Sequence, residues 1–208
     1  MYTNKEYEYL ELISRFGYLD AELLGLYFDV SIQNVHKIVR KLVHKKYLRV
    51  DKKTLAGLSN KNLFLLSALG NEIFNTVAPK IKINSYQHDM LVGRVLINLY
   101  KKNKDLSPRF ETEREIRSRL GFGTKEHIPD GILYVIREGK KLAVALEVEV
   151  TKKQKQKLIK NLDFYYTNSK YSLVWYYCND LTINWVKKNN RYEKIKSLPL
   201  DSIVNYES

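Results

Sequence analysis

Ile128-Pro129-Asp130-Gly131-Ile132 places a carboxylate at the mouth of one apolar run. Leu142-Ala143-Val144-Ala145-Leu146-Glu147-Val148-Glu149-Val150 places two more inside a second. Carboxylates are poor strand formers and costly to bury, so a strand that carries Glu147 and Glu149 needs a reason. Strand side chains alternate faces, so both glutamates share a face with Ala143 and Ala145. Leu142, Val144, Leu146, Val148 and Val150 take the opposite face, toward a core. If the Ile132–Ile136 run pairs alongside, Asp130 stands near the two glutamates. Converging carboxylates with small neighbours suit a hard divalent cation, Mg²⁺ or Mn²⁺. A second reading stands beside this one: the face is wet, and the glutamates are solvated and paired with lysines.

The rest of the chain sets the context. Its 208 residues, 44% hydrophobic, are enough for one large domain or two small ones with real cores. Lys and Arg number 36 against 23 Asp and Glu, a formal net charge of +13 that points to a polyanionic partner, most simply nucleic acid. The lone cysteine, Cys178, excludes a disulfide framework and a cysteine-based zinc site. Met1–Arg15 is charged and polar and no apolar run is long enough to span a bilayer, so a cytoplasmic protein with no membrane partner is expected.

Residues 1–77 read as three helices, a hairpin and a fourth helix. The first covers Lys5–Phe16, with Gly17 ending it. Asp20 caps the second and Ser31 the third, which runs to about His44 with Val35, Ile38, Val39 and Leu42 on one face. Tyr47–Val50 and Leu63–Leu66 read as strands flanking Asp51–Asn62, a basic hairpin tip that holds Lys52, Lys53, Gly57 and Lys61. Ser67 then caps a helix through Val77, in the pattern Leu66-Ser67-x-x-Gly70. This order resembles the winged-helix DNA-binding domains, a helix-turn-helix followed by a wing. The resemblance implies base contacts from Gln33, Asn34 and Lys37, and phosphate contacts from Arg40, Lys41, Lys52 and Lys53.

Residues 78–84 read as a linker containing Pro79. The second domain, 85–208, begins with a helix capped by Ser85, with Leu91, Val92, Val95, Leu96 and Leu99 inward and His88 on the same face. Arg109–Glu115 alternates weakly. Arg137-Glu138-Gly139-Lys140 is the turn between the two central strands. Lys152–Tyr166 reads as a helix, Tyr171–Cys178 as a buried strand and Thr182–Asn189 as a helix. The expected fold class is α/β, α+β overall: a winged helix followed by an α/β core around a central mixed sheet.

The order of that second domain, with Pro129-Asp130 and Glu147-Val148-Glu149, resembles the PD-(D/E)xK nuclease core of restriction-endonuclease-like folds. The whole chain resembles the replication-relaxation family of plasmids and mobile elements, related to the C-class mobilisation relaxases. The features that carry this are the winged helix, His88, Thr112-Glu113, Pro129-Asp130-Gly131, Leu146-Glu147-Val148-Glu149 and a lysine-rich helix ending in tyrosine. The resemblance implies metal-dependent nicking of double-stranded DNA at a plasmid or mobile-element origin. Asp130 and Glu147 would be Mg²⁺ or Mn²⁺ ligands, Glu113 a third ligand, and His88 a neighbour of the site. The chain departs from the pattern at Glu149, which stands where the catalytic lysine is usual. Some members of the fold take the lysine from the following helix. Lys160 is the first substitute, because the Lys160…Tyr165 spacing looks like the family's helix, with Lys153 and Lys157 one or two turns away. A non-catalytic DNA-binding regulator or accessory factor with a degenerate core is the alternative, and a protein-interaction module is the third reading. The 16 tyrosines leave a tyrosine nucleophile open, although the acids argue for water. A homodimer is compatible with the sequence but is not required by it.

Overall fold

The structure, a computed structural model, describes residues 2–52, 61–121 and 126–205. The chain divides into two compact units, Met1–Gly93 and Arg94–Ser208.

The first unit begins with α1 (Asn4–Phe16). Thr3 and Glu6 close a reciprocal capping box at its start, and Gly17, at φ 87°, ends it. A two-residue strand, β1 (Tyr18–Leu19), leads to α2 (Ala21–Phe28), capped by Asp20. Ser31 caps α3 (Ile32–His44), whose side chains Val35, Val39 and Leu42 are buried. Strands β2 (Leu48–Asp51) and β3 (Leu63–Leu66) pair antiparallel, and β1 adds to β3, giving the order β1-β3-β2. Lys45 ties the end of α3 back to Glu6 on α1 at 2.8 Å. Residues 53–60 lie outside the described residues, and with them Lys53 and Gly57.

Ser67 caps α4 (Ala68–Phe74), which stops at Asn75 in the left-handed region, short of the expected Val77. Gly70 is fixed by packing rather than by conformation: a Cβ there would stand 2.3 Å from the Tyr47 carbonyl oxygen. Gly70→Ala is therefore expected to destabilise the unit by about 1–3 kcal/mol, although alanine is the better helix former. Urea unfolding of the two forms measures this, and an unchanged midpoint would show that α4 can slide to accommodate the methyl group.

Residues 76–82 carry no helix or strand, and α5 (Ile83–Lys102) follows, so the division between the units falls inside this helix. Ser85 lies within α5, where its hydroxyl donates to the Lys82 carbonyl at 3.2 Å. It is therefore not the cap that the sequence pattern suggests.

The second unit is an α/β fold around a five-stranded mixed sheet, ordered β4-β5-β6-β7-β8. Strand β4 (Arg109–Thr112) is shorter than the alternating run Arg109–Glu115, because Thr112 and Glu115 form a capping box that starts α6 (Glu113–Leu120). Strands β5 (Gly131–Arg137) and β6 (Lys140–Glu149) form the expected hairpin. Arg137 pairs with Lys140, leaving Glu138 and Gly139 as a two-residue turn at φ 51° and 72°. Positive φ at both central positions is the twist that a tight hairpin requires, and glycine meets it without strain.

Helix α7 (Lys155–Thr167) then crosses to β7 (Leu173–Cys178), parallel to β6, and α8 (Asp180–Asn189) crosses to β8 (Ile195–Pro199), parallel to β7. Two successive crossovers of one hand put both helices on one face of the sheet. There Ala145, Val174, Tyr176 and Ile195 pack with Leu158, Leu162 and Tyr165 of α7 and Val186 of α8. The opposite face meets α5: a Cβ on Gly131 would stand 2.8 Å from Leu96, and Tyr100 packs edge-on to Phe110. The Asn98 amide donates to the Ile203 carbonyl at 2.7 Å, which fixes the terminal helix α9 (Asp201–Val204) to α5. Both faces of the sheet are covered. Glu147 and Glu149 are 2% and 4% exposed, which overturns the wet-face reading.

Candidate functional site

Register brings the site together. Gly131 pairs with Leu146, so one step outward Asp130 stands opposite Glu147. The Asp130 carboxylate accepts a hydrogen bond from the backbone N–H of Val148 at 2.8 Å, between the two glutamates. Beyond Glu149 the chain runs without regular structure to Lys155, and this free segment folds Lys153 back over the strand end. Lys153 Nζ lies 2.6 Å from Glu149 and 3.6 Å from Glu147.

Glu147 has further partners. His127 Nε2 lies 2.8 Å from its Oε1, and the Tyr165 hydroxyl donates to the same oxygen from α7. Burial pushes the Glu147 carboxyl up, but His127, Lys153 and the Tyr165 hydroxyl outweigh that and hold it below the usual carboxylate range. Burial pushes Lys153 down, and Glu147, Glu149 and Asp130 more than reverse it, so its ammonium is held above the usual range. The phenol of Tyr165 is raised well above its ordinary value, first by burial and then by Glu147, and this keeps it a proton donor. Tyr176, opposite Glu147 on β7, is fully buried, and its hydroxyl has no hydrogen-bond partner among the described residues.

The site thus gathers Asp130, Glu147 and Glu149 with Lys153, and adds His127, Tyr165 and Tyr176, which the sequence reading did not single out as a group. Lys157 and Lys160 lie exposed on α7, so the lysine beside the acids is Lys153. Glu113 does not join them. It is half-exposed on the first turn of α6, where it pairs with Arg117. Its neighbour on β4, Glu111, is the buried one, accepting from Arg119 at 3.0 Å and from the Tyr134 hydroxyl at 2.8 Å. His88 belongs to the first unit, where it lies 3.8 Å from Asp89.

Whether these residues suit a cation is a question of donors. Asp130 and Glu147 offer hard carboxylate oxygens. Mg²⁺ commonly takes one or two such ligands and keeps its waters. Among the described residues no group of three or more His, Cys, Asp or Glu gathers as a metal site. Asp130 and Glu147 are the carboxylates that could serve such an ion, Glu147 also being engaged by His127, Tyr165 and Lys153 and Asp130 by the Val148 N–H.

In the first unit Gln33, Asn34, Lys37, Arg40 and Lys41 are all exposed on α3, opposite its buried face, and Lys52 is exposed after β2. Lys61 is engaged elsewhere, 2.6 Å from Glu22 and 3.7 Å from Asp20.

No known family matches the chain. No curated protein matches it either. Among solved structures it is similar to the restriction endonuclease FokI, with 13% identity and a TM-score of 0.33 over 98% of this chain and 44% of that one. It is also similar to FokI bound to DNA, with 10% identity and a TM-score of 0.30 over 97% of this chain and 43% of that one. The chain spans less than half the length of these proteins, and likeness at this level carries no argument.

Proposed function

We propose that this chain is a DNA-binding protein whose second unit cleaves DNA phosphodiesters with the aid of Mg²⁺ or Mn²⁺. The observation that carries this is a lysine held against two buried glutamates on the strand beside Asp130. A purely structural sheet has no use for such a cluster, since apolar residues of similar volume would stabilise it as well or better. Asp130 and Glu147 would hold the ion, Glu149 would anchor Lys153, and Lys153 would stabilise negative charge developing on the phosphate. Bound there, a divalent cation supplies charge neutralisation and lowers the pKa of a coordinated water. On this reading the second unit is a restriction-endonuclease-like core whose lysine has moved from position 149 to position 153. Asp130 and Glu147 keep the metal-ligand role that the resemblance implies, whereas Glu113 is paired with Arg117 on α6.

The first unit serves as a winged helix that presents α3 to duplex DNA. The exposed row Gln33, Asn34 and Lys37 reads bases, and Arg40, Lys41, Lys52 and Lys53 hold phosphates. Replacing Lys37, Arg40 and Lys41 together by alanine is expected to weaken duplex binding and to flatten the plot of log affinity against log salt by about 0.9 per lost phosphate contact. Titrations at several salt concentrations read this directly, and an unchanged slope would remove α3 from the interface. The resemblance to the replication-relaxation family supplies the biological setting, a plasmid or mobile-element origin.

A second reading has an observation of its own. The Glu147 carboxylate is already engaged by His127, Tyr165 and Lys153. A core closed in this way would make a DNA-binding regulator that does not cleave. Incubation with supercoiled plasmid separates the two. Conversion to open circles in Mg²⁺ or Mn²⁺ but not in EDTA supports the nuclease, and binding without conversion supports the regulator.

A further inference from the structure

Helix α7 delivers Tyr165 inward to Glu147 and turns the next residue, Tyr166, outward, 57% exposed. Tyr166 is stacked on Tyr192, with ring centroids 4.1 Å apart and planes 13° from parallel. Tyr192 is fixed in turn: its hydroxyl donates to Asp163 on α7 at 2.5 Å, and the Arg191 guanidinium lies 5.6 Å from its ring centroid. Asp163 is also 3.6 Å from Arg191, so its charge is offset locally. Lys194 donates to the Asn168 carbonyl at 3.0 Å, which keeps a second cation beside the end of α7.

A large exposed aromatic is usually incidental, but this one is pre-positioned. Tyr166 rests on the Tyr192 ring and still keeps more than half of its surface open to solvent. Binding a flat ligand there costs little further side-chain entropy. The surroundings decide the class of ligand. Arg191 and Glu193, which flank Tyr192 in sequence, are both exposed and charged, so the apolar area is too small for an apolar protein interface. A fixed π-face flanked by cations, on a chain of net charge +13, suits a nucleobase whose phosphates meet the cations.

We propose that Tyr166, backed by Tyr192, is a stacking platform for an unpaired base of single-stranded DNA. The inference rests on the DNA-binding reading and deepens it. It gives the second unit a contact with unpaired strand, on the same helix that closes over the acid cluster.

The experiment compares the full chain with Tyr166→Ala and Tyr166→Phe. Binding is measured to a labelled oligo-thymidylate, to the same oligonucleotide made abasic, and to a blunt duplex. Tyr166→Ala is expected to weaken oligo-thymidylate binding by about five- to a hundredfold, with Tyr166→Phe close to wild type. The abasic strand and the duplex should bind both variants as they bind the wild type. Equal loss on all three ligands, or no loss on oligo-thymidylate, overturns the platform. Wild-type binding to duplex but not to oligo-thymidylate overturns the platform alone. Absence of wild-type binding to any DNA overturns the DNA reading and the platform with it. Tyr166 is exposed, so the variants should keep the wild-type unfolding midpoint, and this serves as the folding control.

Discussion

Lys153→Met is expected to cost about 3–5 kcal/mol of unfolding free energy at neutral pH. The substitution keeps most of the side-chain volume and removes only the charge. It leaves Glu147 and Glu149, both almost fully buried, without the cation that lies 3.6 Å and 2.6 Å from them. His127 and Tyr165 still serve Glu147, but Glu149 loses its ion pair. The pH dependence follows from the directions of the shifts. Glu147 is held below the usual carboxylate range, so its stabilisation is present above that range and is lost as pH falls through the depressed value. Lys153 is held above its usual range, so its contribution is present at neutral pH and is lost as pH rises through the raised value. In the variant the Glu147 carboxyl loses part of the influence that lowered it. The deficit should therefore be largest near neutrality and shrink as pH falls and a proton neutralises Glu147. Denaturant unfolding of both forms at several pH values checks this. A loss below about 1 kcal/mol at neutral pH, the size of an exposed pair, would show that the glutamates are hydrated and that the cluster is not closed.

The second large effect is on chemistry. Asp130→Ala is expected to reduce metal-dependent DNA cleavage by at least about a hundredfold, with duplex binding retained. Asp130 is the better target because its side chain is only half-buried, whereas Glu147 lies in the core. The substitution removes a carboxylate that accepts from the Val148 N–H, at a site where water can replace it. Glu147→Ala should abolish cleavage as well, but it also leaves His127, Tyr165 and Lys153 facing a cavity and is expected to be destabilising. Full cleavage by Asp130→Ala would remove that residue from the site. Lost cleavage together with lost binding would mean that the carboxylate shapes the DNA surface and does not serve the chemistry.

What could be read from the chain depended on whether a period or a cap governed the residue. The alternation through Leu142–Val150 put Glu147 and Glu149 on one face, and the structure has them so. Glu138-Gly139 marked a two-residue turn, and its positive φ values are what such a turn needs. The row Gln33, Asn34, Lys37, Arg40 and Lys41 fell opposite Val35, Val39 and Leu42 by helical period alone, and all five are exposed.

Where the structure differs from these expectations the causes are equally local. The weak alternation Arg109–Glu115 runs past Thr112 and takes in Glu113. The signature Thr112-x-x-Glu115 is a capping box instead, and it starts a helix at Glu113. Lys160 ranks ahead of Lys153 because the Lys160…Tyr165 spacing looks like the family's helix. That helix begins at Lys155, not at Lys152, and the preceding segment has no period from which a side chain's direction can be read. The wet-face alternative assumed an antiparallel sheet, yet β6 and β7 are parallel and joined by a helix, and parallel strands are covered on both sides. His127 and Tyr165 reach Glu147 from residues 20 and 18 positions away, contacts that no local pattern encodes.

The central claim is that the Asp130, Glu147 and Lys153 cluster cuts DNA with a divalent cation. The most direct test incubates supercoiled plasmid with the wild-type chain and with Asp130→Ala, each in Mg²⁺, in Mn²⁺ and in EDTA. The expected result is open-circular or linear product from the wild type in either metal, none in EDTA, and at most about one-hundredth of the rate from the variant. Equal cleavage by both proteins, or no cleavage by a wild-type protein that still binds the plasmid, would contradict the claim. The second outcome would leave the protein as a DNA-binding regulator with a sealed acid cluster.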